Sequence, residues 1–494
     1  MAKAVTSFEL NLHHRRSRQP LTNWLYTELQ NAILEGRLRA GTKLPGSRDF
    51  ADQYNISRGT VVNVFERLLS EGYLSSRIGA GTWVSRGVRR PEPARLSTVK
   101  PPEYIRKAIA AYKHPKPFRN WVMLDGRSPF RMAEPALSDF PAKLWGRLVA
   151  RRARSFHSWV QTPNDRRGYK PLRDTLAQYL STSRGVRCHA DQIVLTSGVQ
   201  QALSLLARFL LQPGDPVWME DPGYFGASIA FNNAGAQIIP VPVDDEGLSV
   251  DEGMKLCAHA KGAYLTPGHQ YPLGATMSLG RRIEMLRWAR RVGAFIIEDD
   301  YDSEYRFEGR PVPVLQSLDK RGNVIFVGTF TKLLFPSLRL GYVVLPTPLV
   351  DCFLAYRNQS DFWTLSMDQA VLCDFIAEGH LGRHLRRMRN LYADRLTALI
   401  DAGQQYLKGL LDVSQIRAGL YTCAFLRNGM TSRQAETAAM EHGVETRALD
   451  RFTLKCPDPK GLLLGFASFE PKTIRQGVIR LAAALEKPKF VVRR

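Results

Sequence analysis

Cysteine is scarce in this chain: Cys188, Cys257, Cys352, Cys373, Cys423 and Cys456 are the only six in 494 residues, and none forms a close pair. That spacing argues against a zinc knuckle and a disulfide framework, and it fits reduced thiols. Long apolar runs are missing as well. No stretch approaches the ~20 uninterrupted apolar residues of a membrane span, and the polar, basic start has no secretory h-region, so a cytoplasmic protein is expected. Acidic residues are in deficit, 46 Asp+Glu against 69 Lys+Arg, for a formal net charge of +23. Such a balance favours an anionic partner, nucleic acid or phosphate. Residues 1–100 carry 16 basic and 8 acidic side chains, net +8, and the remainder 53 and 38, net +15, so positive charge runs along the whole chain. There is no internal repeat and no low-complexity block.

The length exceeds what one hydrophobic core usually supports, which implies two or more domains. Residues 1–20, with His13, His14, Arg15, Arg16 and Arg18 and few apolar partners, read as a flexible tail. A compact, punctuated pattern covers residues 21–88. A stretch with Pro91, Pro93, Pro101, Pro102 and Pro115 follows and reads as an extended linker over 89–116. From 117 to 494, apolar runs such as Ile193-Val194-Leu195, Pro216-Val217-Trp218-Met219, Ala294-Phe295-Ile296-Ile297 and Val324-Ile325-Phe326-Val327 alternate with helical segments, which predicts an α/β domain on a parallel sheet.

In the first module, Trp24, Leu25, Leu29, Ile33 and Leu34 recur at helical spacing over Leu21 to Glu35. Ser47 is positioned to cap a second helix, Arg48 to about Tyr54, and Ser57 a third, Arg58 to Ser70. The third helix has a predicted buried stripe of Val61, Val62, Phe65, Leu68 and Leu69. Arg58, Gly59, Thr60, Asn63 and Arg67 lie on its other face, as in a recognition helix that enters the major groove. Two short strands, Tyr73 to Arg77 and Thr82 to Ser85, then pair around Gly79 and Gly81 as a wing. The runs Leu44-Pro45-Gly46-Ser47-Arg48, Ser57-Arg58-Gly59-Thr60-Val61, Glu71-Gly72-Tyr73 and Gly79-Ala80-Gly81-Thr82 resemble the GntR family of winged-helix regulators. The resemblance implies binding to double-stranded operator DNA with Arg48 and Arg58 in contact, together with Ser57, Thr60, Asn63 and Gly81. Gly46 departs from the family, where Ser or Ala is usual.

The large domain carries the parts of a pyridoxal phosphate site, which needs an amine, an anion facing the pyridine nitrogen, a donor to the phenolic oxygen, an aromatic lid and a phosphate cup. Lys332 follows the β-run ending Gly328-Thr329-Phe330-Thr331, and Arg339 comes seven residues later, a basic group suited to a phosphate. Glu298-Asp299-Asp300-Tyr301 lies at the carboxyl end of an apolar strand, where ligands gather in open α/β sheets. Taken without Lys332, that cluster also reads as a metal or capping group. Ser197-Gly198-Val199-Gln200 opens a helix whose first amides attract phosphate, and Tyr224 falls just past a strand, fit either to stack on a ring or to pack in the core.

Order and spacing resemble the fold-type-I aminotransferases, and specifically the aminotransferase-like domain of MocR/GabR-type regulators over roughly residues 120–485. Further matches are Gly168 to Arg173, His269 to Gly274, Asp299 to Glu304 and Gly379 to His384. The resemblance implies that Lys332 forms the Schiff base with pyridoxal 5′-phosphate, Asp299 faces the pyridine nitrogen and Tyr301 the phenolic oxygen. Tyr224 stacks on the ring; Thr329, Arg339 and the turn Gly198, Val199, Gln200 hold the phosphate. Tyr169 reaches the phosphate of a partner subunit, which implies a homodimer, head-to-tail in this subfamily. Thr331 stands where Ser is common. Gly461 to Ala467 is wholly apolar where many aminotransferases carry an arginine for a substrate carboxylate, and Arg447 reads either as its substitute or as a surface residue. The fold class implied is an α+β winged helix-turn-helix followed by an α/β fold-type-I aminotransferase-like domain. The implied function is a transcriptional regulator that senses a small amine, amino acid or B6 vitamer without net turnover. The alternatives are an active aminotransferase with a tethered DNA-binding domain and a vestigial dimerisation scaffold.

Overall fold

The computed structural model describes residues 20–77, 79–86, 102–112, 128–132, 134–155, 165–309, 312–361, 366–455 and 459–486. The chain divides into two compact units, Met1–His114 and Pro115–Arg494. Apart from Pro20, the expected tail lies outside the described residues, and so does most of the expected linker.

In the first unit, three helices and a three-stranded sheet share one core. Helices α1 (Leu21–Leu34), α2 (Ser47–Tyr54) and α3 (Arg58–Ser70) pack Leu25, Leu29, Phe50, Val61, Phe65 and Leu68 into one core. Ser57 caps α3 as expected, its hydroxyl accepting from the Thr60 amide at 3.2 Å. Ser47 does not cap α2; it is the first helical residue, and Gly46 takes the cap position without a side-chain bond. The buried stripe of α3 is Val61, Val64, Phe65 and Leu68; of the expected residues Val62 and Leu69 are only half-buried, because they flank the face centred between Val61 and Val64–Phe65. Arg67 is exposed but engaged: its guanidinium lies 3.8 Å from the Tyr26 ring centroid and its Nε donates to Glu71 at 3.0 Å. The wing strands are β2 (Leu74–Arg77) and β3 (Gly81–Val84), joined by an unexpected third strand, β1 (Lys43–Leu44), in the order β1-β3-β2. Gly81 has φ of +120°, so the backbone calls for glycine; a Cβ there would stand 2.8 Å from Lys43 Cε, the far end of a side chain that can move aside. Inside the expected extended linker, Glu103–Tyr112 is helical. Pro102 stands just ahead of it, where no amide is needed and its carbonyl accepts from Arg106 at 3.0 Å, and Lys107 pairs with Glu103 one turn apart at 3.0 Å.

The second unit is built on an eight-stranded sheet. Its strands are β4 (Ile193–Thr196), β5 (Pro216–Asp221), β6 (Gln237–Asp244), β7 (Gly247–Leu248), β8 (Gly262–Leu265), β9 (Phe295–Asp300), β10 (Val324–Thr329) and β11 (Gly341–Val344), in the order β4-β11-β10-β9-β8-β5-β6-β7. The expectation of a parallel sheet is corrected in part. The pairs from β10 through β9, β8 and β5 to β6 are parallel, but β11 runs antiparallel to both β10 and β4, and β7 antiparallel to β6. The turn at Lys332 to Leu340 sends the chain straight back beside β10 instead of through a crossover helix, which forces the reversal. Two buried clusters, one with Leu203, Val217, Ile297 and Ile325, the other with Trp218, Leu265, Ile296 and Trp288, cover the faces of the sheet. A second sheet, β12 (Leu411–Val413), β13 (Tyr421–Leu426), β15 (Gly461–Gly465) and β14 (Arg447–Ala448) in that spatial order, is antiparallel and packs against the helices His380–Tyr406 and Ser432–Glu441.

Candidate functional site

Parallel strands leave their carboxyl ends on one edge, where the chain turns off each strand and side chains converge. Between those ends and the second sheet lies a cavity of about 370 Å³. Lys332, Asp299, Tyr301, Tyr224, Thr329, Arg339, Gly198, Val199 and Gln200, nine of the ten residues expected there, line it together. Tyr169 does not. It precedes the helix Lys170–Arg184, half-buried, with its amide donating to Gln369 Oε1 at 2.7 Å.

Strand β9 shows how three neighbouring carboxylates acquire three fates. Alternation along the strand turns Glu298 and Asp300 away from Asp299. Glu298 accepts the amides of Leu315 and Gln316, each at 2.8 Å, and caps that helix; Asp300 pairs with Arg184 at 2.6 Å. Asp299 faces the cavity. Its Oδ2 accepts from the Tyr264 hydroxyl at 2.7 Å, and its Oδ1 is buried with no hydrogen-bond partner among the described residues. Burial pushes the Asp299 carboxyl up from its ordinary 3.8 to about 7.

Lys332 follows β10, and burial holds its amine below the ordinary lysine range against the opposing pull of Asp302 and Glu134. The Tyr301 hydroxyl is placed by two neighbours, Tyr421 Oη at 2.8 Å and His269 Nδ1 at 3.1 Å, while Asp302 accepts from that same His269 nitrogen at 2.9 Å. Gly198 precedes the helix Val199–Leu210 with φ of +93°, a conformation that favours glycine, and a Cβ there would lie in ordinary contact with the Arg339 guanidinium at 3.9 Å. The first amides of that helix lack intrahelical acceptors, and together with Arg339 and Thr329 they line a donor-rich corner of the cavity whose chemistry suits an anion. Gln200 donates to the Gly226 carbonyl at 2.8 Å, which ties this corner to the start of the Tyr224 helix, Phe225–Asn233.

The structure adds residues that sequence reasoning missed. Tyr264 anchors Asp299, Tyr421 anchors Tyr301, and Arg131, Glu134 and Glu445 build the far wall with Arg447. His269 and Tyr271 lay in a quoted motif without a role; Arg131, Glu134 and Glu445 gave no signal, because only long-range pairing brings them in. Arg447 is settled as a buried cavity residue, not a surface one. In the first unit Arg48, Ser57, Arg58, Asn63 and Gly81 are exposed and Thr60 is half-buried. Arg48 is the second residue of α2 and Arg58 the first of α3, and neither has a side-chain partner among the described residues, while Ser57 and Thr60 share a hydroxyl contact of 2.7 Å.

Residues 21–84 match the family model for bacterial regulatory proteins of the gntR family, and residues 145–481 that for aminotransferase class I and II. The chain is 38% identical over 467 residues to the probable rhizopine catabolism regulatory protein MocR of Rhizobium meliloti, covering 94% of each chain. It is 30% identical over 481 residues to the HTH-type pyridoxine biosynthesis transcriptional regulator PdxR of Corynebacterium glutamicum, covering 96% of this chain and 98% of that one. Among solved structures it is similar to the kynurenine aminotransferase of Pyrococcus horikoshii in complex with PMP, with a TM-score of 0.67 at 26% identity, covering 79% of this chain and 96% of that one.

Proposed function

Because the chain belongs to the GntR family of bacterial regulators, in the MocR-type group that adds an aminotransferase class I and II domain, we propose that it is a transcription factor controlled through pyridoxal 5′-phosphate on Lys332. The cofactor supplies an aldehyde that condenses with amines and a cationic ring that draws off electrons. One observation carries the reading: in the cavity that the buried Lys332 also lines, Asp299 Oδ1 is buried with no donor among the described residues, an arrangement that a protonated pyridine nitrogen fits. Asp299 holds that proton, and Tyr264 fixes the carboxylate that does so. Tyr301 donates to the phenolic oxygen, Tyr224 covers the ring, and Thr329, Arg339 and the amides at Gly198, Val199 and Gln200 hold the phosphate.

The signal is a small amine, amino acid or B6 vitamer that competes with Lys332. Free of the cofactor, Lys332 would stand as an amine whose charged form burial disfavours and the carboxylates of Asp302 and Glu134 favour. A response at DNA requires the signal to favour one state of the protein energetically. The protein acts as a homodimer, head-to-tail, in which Tyr169 serves the partner's phosphate; its position outside its own cavity supports this. Each copy presents Arg48, Ser57, Arg58, Thr60, Asn63 and Gly81 to operator DNA.

The test is operator affinity of the full-length, cofactor-loaded protein with and without amines. Wild type is expected to respond, and Lys332→Ala to bind operator with no amine response; a response retained in that variant contradicts the reading. The intact cavity favours one second reading, an aminotransferase with a tethered DNA-binding module. Sustained keto-acid formation from an amine donor and acceptor, with no operator binding, would establish it instead.

A further inference from the structure

The far wall of the cavity, opposite the donor-rich corner, consists of four charged side chains. Arg131 pairs with Glu134, and Arg447 donates to Glu445 Oε1 at 3.1 Å and to the Thr446 carbonyl at 3.0 Å. The four act as one cluster: Glu445 lies in the fields of Arg447, Arg131 and Glu134, and Glu134 in turn acts on Lys332.

Pairing of the strands explains how they meet. Phe130 bridges to Gly465 at the end of β15, and a Cβ on Gly465 would stand 2.0 Å from the Arg131 carbonyl oxygen, so only glycine lets that segment lie against the sheet. Arg447 on β14 sits directly across from Leu463 on β15, and Leu463 packs in a cluster with Tyr271 and Tyr301. The apolar strand therefore keeps Leu463 in the core behind the cavity, and the neighbouring strand gives the cavity Arg447, two residues from its own counter-charge Glu445.

Resting on the reading that an amine enters this cavity, we propose that the wall selects an amine bearing neutral hydroxyl groups, an amino-polyol, over an amine bearing a carboxylate. Carboxylate capture needs a guanidinium with open donors and a net positive field. Here each guanidinium already has a carboxylate, the wall sums to zero charge, and a ligand carboxylate reaching Arg447 also meets Glu445. A plain alkyl amine fares no better, because it would shield four charged groups from water and offer them nothing. Arg131 Nε is buried with no hydrogen-bond partner among the described residues. A hydroxyl answers both signs at once, accepting from that N–H and donating to Glu134 or Glu445.

The test uses full-length protein loaded with pyridoxal phosphate, and calorimetric titration with four primary amines of equal chain length: glucamine, hexylamine, aminocaproate and hexanediamine. Glucamine is expected to bind at least about tenfold more tightly than the other three. Glu445→Gln leaves Arg447 without its counter-charge and is expected to lower the glucamine-to-aminocaproate preference about tenfold; Glu134→Gln is expected to lower it in the same direction. Cofactor absorbance and operator binding verify that each variant is folded. Tighter binding of aminocaproate or hexanediamine by wild type, or an unchanged preference in both folded variants, overturns the proposal. Failure of the underlying reading looks different: the protein then takes up no pyridoxal phosphate, whereas here the cofactor stays bound and only the ranking of amines changes.

Discussion

Replacing Asp299 with asparagine is expected to move stability and cofactor binding in opposite directions. Burial lifts the carboxyl from 3.8 to about 7, which corresponds to about 4 kcal/mol against the charged form once pH exceeds 7. A carboxyl raised in this way favours the folded state fully below its ordinary value, and the benefit is lost as pH rises through about 7. Relaxation and water entry reduce the cost, so a gain of about 1–3 kcal/mol is expected for Asp299→Asn in cofactor-free protein at pH 8, and almost none near pH 4. The amide oxygen still accepts from the Tyr264 hydroxyl. With pyridoxal phosphate present the sign reverses, because asparagine cannot answer a cationic ring nitrogen, and a charge-assisted bond of about 1.5–3 kcal/mol disappears. Denaturant unfolding of stripped protein at both pH values, with cofactor titration at pH 8, reads both effects. A variant less stable than wild type at pH 8, or one that holds the cofactor equally well, refutes the reasoning.

Arg58→Ala is expected to weaken specific operator binding by about 1–3 kcal/mol, read by gel shift or anisotropy; an unchanged footprint means that α3 does not read the groove. Gly81→Ala forces a Cβ into a positive-φ position against Lys43 and is expected to destabilise the first unit by about 1–3 kcal/mol, measured by thermal unfolding. Arg339→Leu removes the guanidinium over Gly198 and is expected to raise the dissociation constant for pyridoxal phosphate by about 10–100-fold, read by absorbance titration, with operator binding in the absence of cofactor retained.

Helix α3 and its Ser57 cap were legible to the residue, because a hydroxyl, a helical stripe and a glycine stop all agree locally. The ends of β9 and β10 were legible for a similar reason: apolar strands run straight into chemistry-bearing residues at Asp299 and Lys332. What stayed hidden depends on pairing at a distance. Strand β1 is two residues long and exists only because β3 lies beside it. The reversal of β11 is set by where the turn after Lys332 returns, and no periodicity encodes that. The helix Glu103–Tyr112 was masked by the prolines ahead of it, which read as extended chain yet suit a helix start. Arg447 could be named but not placed, since its location in the cavity follows from the register of β14 on β15.

The account rests on one nitrogen, and borohydride reduction of protein incubated with pyridoxal phosphate, followed by peptide mapping, tests it most directly. A pyridoxyl label on Lys332 is the predicted result. A label confined to other lysines, or none at all, contradicts it.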